Sequence, residues 1–226
     1  MIVGAAFVPQ TPLLVPEIAQ GAAGELDDLR AACVTAIRTV TGAAQHVLVV
    51  GSGTTTRSYD AASAGTFAGF GVPLQVSLGA DGPGLIELPS SLTIGAWLTR
   101  HVLGADNGAT GVAVAAAAPE WAIYEPTALV VVGDGSARRS TAAPGYFDER
   151  AEPFDAAIAD ALAHGAGAEL AKAADPVLGQ ILLAAGVPAW RHVGELTAAS
   201  SFDADLSYAG APYGVGYFVA TWTPCG

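Results

Sequence analysis

The chain is predicted to be an α/β protein, a three-layer α/β/α sandwich around a mostly parallel or mixed central sheet. Three observations predict it. Short apolar runs that suit buried strands alternate with longer segments of helical spacing, the pattern of a sheet covered on both faces. Apolar residues make up 52% of the chain and charged residues 13%, which provides for a core and excludes a disordered chain. The 226 residues suffice for one sizeable core, with no repeat or linker, so residues 1–226 are read as a single domain.

The elements follow in order. Residues 2–8 form an apolar run that ends at Pro9 and reads as a buried first strand. In residues 25–41, Leu26, Leu29, Cys33, Ile37 and Val40 recur at helical spacing, and Glu25, Asp27 and Asp28 fall in the first turn, where the helix dipole favours anions. Residues 47–50 make a second strand closed by Gly51-Ser52-Gly53, and residues 74–78 a third. Ser90 or Ser91 is placed to cap a helix running through Trp97 to about Leu103. Residues 112–116 and 128–132 read as core strands. Residues 154–163 read as a helix with Pro153 in its opening turn, and residues 168–174 and 177–185 as two short helices divided by Asp175-Pro176. Residues 217–222 form a final strand.

Composition excludes several classes of function. The net charge is −12, Lys172 is the single lysine, and Arg138-Arg139 is the one adjacent basic pair, so the clustered cations that neutralise nucleic-acid phosphates are missing. The most apolar stretch, residues 111–133, is broken by Pro119, Glu120, Glu125 and Pro126, so no membrane span is expected. The N-terminus lacks a basic region ahead of its apolar residues and reads as a strand, not a signal peptide, which makes the cytoplasm the expected location. Cys33 and Cys225 are isolated and read as a small buried hydrophobe and a tail residue.

Sites in such folds form where loops leave the carboxyl ends of the strands. Pro9-Gln10-Thr11, Ser52-Gly53-Thr54 and Asp134-Ser136-Ala137 all fall at strand ends and are expected to face one cleft. Asp134, Ser136, Arg138 and Tyr213 are its polar candidates: Asp134 as a buried acceptor that holds its loop, Arg138 as a fork for a ligand carboxylate. Glu120 and Trp121 follow another strand and are expected to line the same opening. Of four histidines, His46, His101 and His164 read as strand-start or helix-end residues, and His192, beside Arg191, is the one expected near the cleft. Gly51-Ser52-Gly53-Thr54-Thr55-Thr56 is a hydroxyl-rich turn without the lysine of a phosphate loop, although its backbone N–H groups suit an anion. No Gly-x-Ser-x-Gly elbow occurs.

Three segments together resemble the class III extradiol ring-cleaving dioxygenases, in the branch of the protocatechuate 4,5-dioxygenase β-subunit and Memo-like proteins. They are residues 7–17 (Phe7-Val8-Pro9-Gln10-Thr11-Pro12-Leu13 and onward), Gly133-Asp134-Gly135-Ser136-Ala137 followed by Pro144-Gly145-Tyr146-Phe147-Asp148, and residues 206–217 with Pro212-Tyr213-Gly214-Val215-Gly216-Tyr217. The resemblance implies the β-subunit-like α/β fold, an Fe(II) held by two histidines and a glutamate, a further acid/base histidine, and association into homodimers. Gln10 stands where the first ligand histidine is expected, Gly53 where the second is, and Ala137 where the acid/base histidine is. The glutamate position falls in residues 184–189, Ala-Ala-Gly-Val-Pro-Ala, which carry no carboxylate. The resemblance therefore implies a catalytically degenerate relative that has lost its metal ligands. It would keep a small-molecule cleft, lined by Gln10, Thr11, Ser52, Gly53, Thr54, Ala137 and Tyr213, or a role in subunit assembly, and need no cofactor. Two alternatives stand beside it: an enzyme of metal-free chemistry using Asp134, Ser136, Arg138 or His192, and a true ring-cleaving oxygenase whose ligands lie elsewhere in the chain.

Overall fold

A computed structural model describes residues 1–82, 84, 86–115, 123 and 125–225. The strands are β1 (Ile2–Val8), β2 (His46–Ser52), β3 (Arg57–Tyr59), β4 (Ala64–Thr66), β5 (Gln75–Ser77), β6 (Thr110–Val114), β7 (Thr127–Val132), β8 (Phe202–Gly210) and β9 (Tyr217–Pro224). The helices are α1 (Pro16–Ala19), α2 (Asp27–Thr41), α3 (Ser90–Leu103), α4 (Ala151–Ala163), α5 (Gly167–Ala173), α6 (Pro176–Leu182) and α7 (Val187–Thr197). Seven strands form one sheet in the order β3-β6-β2-β7-β1-β9-β8. Its centre, β6-β2-β7-β1, is parallel, and β3, β9 and β8 add antiparallel edges.

Strand alternation divides the core into two layers. Ala6, Val8, Val49, Val130 and Val132 face one side, where Leu29, Cys33, Ile37 and Val40 of α2 and Leu92 of α3 cover them. Ala5, Phe7, Val50, Leu129 and Val131 face the other, under Phe154 and Ile158 of α4, Leu182 of α6, and Trp190 and Val193 of α7. The result is the predicted three-layer arrangement. Among the described residues no helix is long and apolar enough to cross a membrane.

Several local readings differ from the structure for identifiable reasons. Residues 74–78 do form a strand, but β5 pairs with β4 in a separate two-stranded ribbon. The α3 N-cap is Pro89, not a serine; the Ser91 hydroxyl instead donates to the Ser52 carbonyl at 2.6 Å, tying the helix to β2. The helix read over residues 177–185 ends at Leu182, and residues 184–189, equated with the glutamate position, run into α7, which Pro188 opens in its first turn. The segment read only as a glycine-rich motif before the last strand includes β8, whose Asp203, Asp205, Ser207 and Ala209 alternate outward at the sheet edge.

Candidate functional site

The four parallel strands end together at Val8, Ser52, Val114 and Val132, so the segments leaving them form one edge of the molecule. A ladder of backbone bonds assembles the motif segments there. Gln10 N–H donates to Asp134 Oδ1 at 2.8 Å, and Gly186 N–H donates to the Asp134 carbonyl at 2.8 Å. Gly135 N–H donates to the Gly216 carbonyl at 2.7 Å, and Gly216 N–H returns a bond to the Ser136 carbonyl at 2.9 Å. Arg139 N–H then reaches the Gly214 carbonyl at 3.0 Å. Segments far apart in sequence, residues 9–11, 133–139, 184–187 and 212–217, thus meet around Asp134.

Strand parity assigns each candidate to a face. Val132 faces α2 and α3, Gly133 faces α7, and Asp134 turns back toward α2. Its neighbours there are Gln10, Cys33 of α2 and Tyr217 of β9. Asp134 keeps some exposed surface, but its carboxyl is enclosed, and burial pushes its pKa from 3.8 up to about 7 against the lowering influence of the Gln10 N–H. Tyr217 donates its hydroxyl to Thr11 Oγ1 at 3.2 Å, and burial, partly offset by that bond, pushes it up to about 12. Burial likewise raises the Cys33 thiol to about 12, which makes it a packing residue and not a nucleophile. Gln10 Oε1 is buried and has no hydrogen-bond partner among the described residues. Gln10, Thr11 and Asp134 therefore come together, and Tyr217, read from sequence as the start of the last strand and the end of the third resembling segment, joins them.

Other candidates have different tasks. Ser136 is fully buried: its N–H donates to Asp155 Oδ1 at 2.8 Å, its hydroxyl donates to the Leu182 carbonyl at 3.2 Å, and it accepts from Arg138 N–H at 3.1 Å. Those bonds make it a loop anchor with no hydroxyl left for chemistry. Ala137 is held between the Leu182 carbonyl at 3.0 Å and Gly145 N–H at 2.9 Å. Arg138 lies part-buried beside Asp148, whose carboxyl is held down to about 2 chiefly by Arg150 and in smaller part by Arg138. Tyr213 swings to the α2 side and donates to Glu25 Oε2 at 3.0 Å. His192 is buried on α7, which packs on β2, β6 and β7, and burial holds its imidazole below the ordinary value. Ser52 points to the α7 face, opposite Gly51, whose Cβ position meets Ser91 and Leu92 of α3. Thr54 is exposed. Glu120 and Trp121 lie outside the described residues.

Gly53 is sterically closed. A Cβ there would meet the Ala113 Cβ at 2.8 Å, because Gly53 continues the β2–β6 pairing through its N–H to the Val114 carbonyl at 2.9 Å. Tested as a set, Gln10 offers one neutral amide oxygen, and Gly53 and residues 184–189 offer no donor side chain; Ala137, at the acid/base position, offers none either. Such a set does not fit Fe(II), whose sites in this chemistry draw on imidazole nitrogen and carboxylate charge. Among the described residues, no three His, Cys, Asp or Glu side chains converge as a possible metal-binding group.

A second carboxylate organises the loop from behind. Asp155 is 1% exposed and receives both Ser136 N–H and Arg139 Nη1 at 3.0 Å. Burial raises its pKa, and the two donors oppose that shift. Arg139, Asp155, Glu152, Ala156, Ala209 and Phe218 line a cavity of about 180 Å³ between α4 and the β8–β9 pair. No protein-family model matches the chain, and no curated protein matches it.

Proposed function

We propose that the chain is a catalytically degenerate relative of the class III extradiol dioxygenases that binds a small molecule at the carboxyl edge of its parallel strands without the family's iron. One observation carries the reading. The segments that bear the resemblance, residues 9–11, 133–139, 184–187 and 212–217, bond to one another around Asp134, while the positions equated with the metal donors present a neutral amide, a closed glycine and, in residues 184–189, no carboxylate, and the acid/base position is an alanine. A cleft of this kind keeps the recognition surface of a ring-cleaver and lacks its electron-pair donors. Function here is argued from the side chains present, since kinship of fold does not carry activity with it.

The test is an anaerobic Fe(II) titration of the purified chain, run beside a fragment panel read by thermal shift. The expected outcome is fragment-dependent stabilisation with no near-stoichiometric tight iron. Tight iron together with oxygen-dependent cleavage of a catechol would overturn the proposal.

A second reading has one observation in its favour. Asp134 is poised near neutral pH by burial, which suits a general acid or base in a metal-free reaction. Of the residues considered for such chemistry, Ser136 is spent on its loop. Turnover of any fragment that disappears in Asp134→Asn with binding retained would favour this reading over pure binding.

A further inference from the structure

The buried and part-buried acids at this end of the molecule differ in their counter-charges. Asp155 has the Arg139 guanidinium at 3.0 Å, and Asp148 has Arg150 at 2.7 Å. Among the described residues Asp134 has no such partner: its carboxyl accepts one bond, from the Gln10 backbone N–H at 2.8 Å, and no salt bridge ends on it. The residue that supplies that N–H also carries Gln10 Oε1, a buried acceptor with no donor. Both features cost free energy in a closed protein, an uncompensated carboxyl because charge is poorly solvated there and an orphan oxygen because it has given up water without replacement.

From this surplus of acceptors we infer that the cleft takes the ammonium head of a primary organic amine, seated against the Asp134 carboxylate with Gln10 Oε1 as a second acceptor. The inference rests on the small-molecule reading above and names the ligand's chemical class. An ammonium carries a positive charge and three N–H donors and has no acceptor, so it complements this pair of groups where a carboxylate or carbonyl ligand would add to the excess. Around the seat, Cys33 supplies apolar wall and Tyr217 closes one side with its hydroxyl turned to Thr11. The field of the whole chain agrees in sign: 21 acidic residues against 9 basic ones give a net charge of −12, which concentrates cations at its surface.

The proton balance supplies a signature. An ammonium stabilises the ionised carboxylate, so complex formation below the raised pKa of this group, about 7, releases a proton from Asp134 to solvent. The titratable groups that face Asp134 are Cys33 of α2 and Tyr217 of β9, both raised to about 12 and silent in this range. Arg30, which acts on Cys33, is itself engaged by Asp27 and by the Leu14 carbonyl. Proton release near neutral pH therefore reports on Asp134.

The experiment uses n-butylammonium chloride as the probe, with 1-butanol and sodium butyrate as neutral and anionic matches. Binding is read by calorimetry at about pH 6 and about pH 8 in buffers of different ionisation enthalpy, and by backbone ¹⁵N–¹H shifts at Gln10 and Tyr217. The expected result is butylammonium binding at least about tenfold tighter than butanol, with proton release at the lower pH only. Asp134→Asn keeps an acceptor for the Gln10 N–H and should lose that preference by about tenfold or more, while Gln10→Ala weakens it several-fold. Butylammonium binding that survives Asp134→Asn unchanged overturns the inference. Shifts at Gln10 and Tyr217 with butanol or butyrate but not with the amine also overturn it, and leave the small-molecule reading standing. Silence of those resonances toward all three probes defeats both.

Discussion

Replacing Asp134 by asparagine should change how stability depends on pH, and the size of the change follows from the structure. Burial lifts the folded-state pKa from the ordinary 3.8 to about 7. Between about pH 4 and pH 7 the native state then holds a proton that the unfolded chain has released. Stability accordingly falls as pH rises through that window and levels off above it. At about 1.36 kcal/mol per pKa unit, the interval has a ceiling of about 4 kcal/mol. Because Asp134 retains some contact with solvent, we expect about half of that, roughly 2 kcal/mol. Asparagine has nearly the same shape, still accepts from Gln10 N–H, and does not ionise. Urea unfolding of both proteins at about pH 5 and about pH 8 gives the difference directly. His192, lowered by burial, contributes with the opposite sign, gaining stability as pH rises, and the raised Asp155 contributes with the same sign as Asp134. Both are present in each protein and cancel in the comparison. Parallel pH profiles for the two proteins would refute the placement of Asp134 as a buried carboxyl without a counter-charge.

Three other substitutions probe the frame around the site. Asp155→Ala strips Arg139 and Ser136 N–H of their acceptor and should cost about 3–5 kcal/mol in urea unfolding, as breaking a buried pair from one side does; a loss under about 1 kcal/mol would show the loop to be held by other means. Gly53→His should lower stability by about 1–3 kcal/mol in thermal melts, because its Cβ arrives 2.8 Å from the Ala113 Cβ, and should gain no tight Fe(II) in a metal titration. Ser52→Ala removes a buried hydroxyl that has no hydrogen-bond partner, so its melting temperature should be unchanged or slightly higher. A marked fall would mean that this hydroxyl has a partner.

Much of the fold was legible because the strands at its centre are buried on both faces. Residues 2–8, 47–50 and 128–132 are continuous apolar runs, as parallel strands under two helical layers must be, and β1, β2 and β7 are those runs. α2 was legible for the complementary reason, since one face carries Leu29, Cys33, Ile37 and Val40 into the core. β8 was missed because it is an edge strand with polar residues on alternate positions, and its sequence Phe-Asp-Ala-Asp-Leu-Ser-Tyr-Ala-Gly has no apolar run. α7 was missed because Gly186 and Pro188 punctuate its start in the sequence. In the structure Gly186 lets the chain pack against Trp190, with a Cβ at 186 calculated to meet the indole at 2.6 Å, and Pro188 occupies the first turn, where its missing N–H costs nothing.

The site was less legible, and the reason is physical. A motif gives order along the chain, whereas the partner of a polar group is set by which strand lies beside it. Asp134 and Gln10 stand out from the sequence as strand-end residues, but only the β1–β7 pairing puts the N–H of one on the carboxyl of the other. Ser136 and Asp134 sit two residues apart and look equivalent as cleft candidates. Yet Ser136 is drawn into α4 and α6 by Asp155 and the Leu182 carbonyl, while Asp134 faces α2 with one backbone donor. Tyr217 closes a segment that bears the resemblance but did not stand out as a site residue, because a tyrosine opening an apolar strand reads as core; its hydroxyl becomes part of the site through β9 lying antiparallel beside β1. The same logic bears on the proposed binding without iron. With Gly53 closed by Ala113, a histidine there would require β6 to move, so the present packing of the β2–β6 pair supports the proposed ligand at Asp134 and Gln10 over a metal held across the edge.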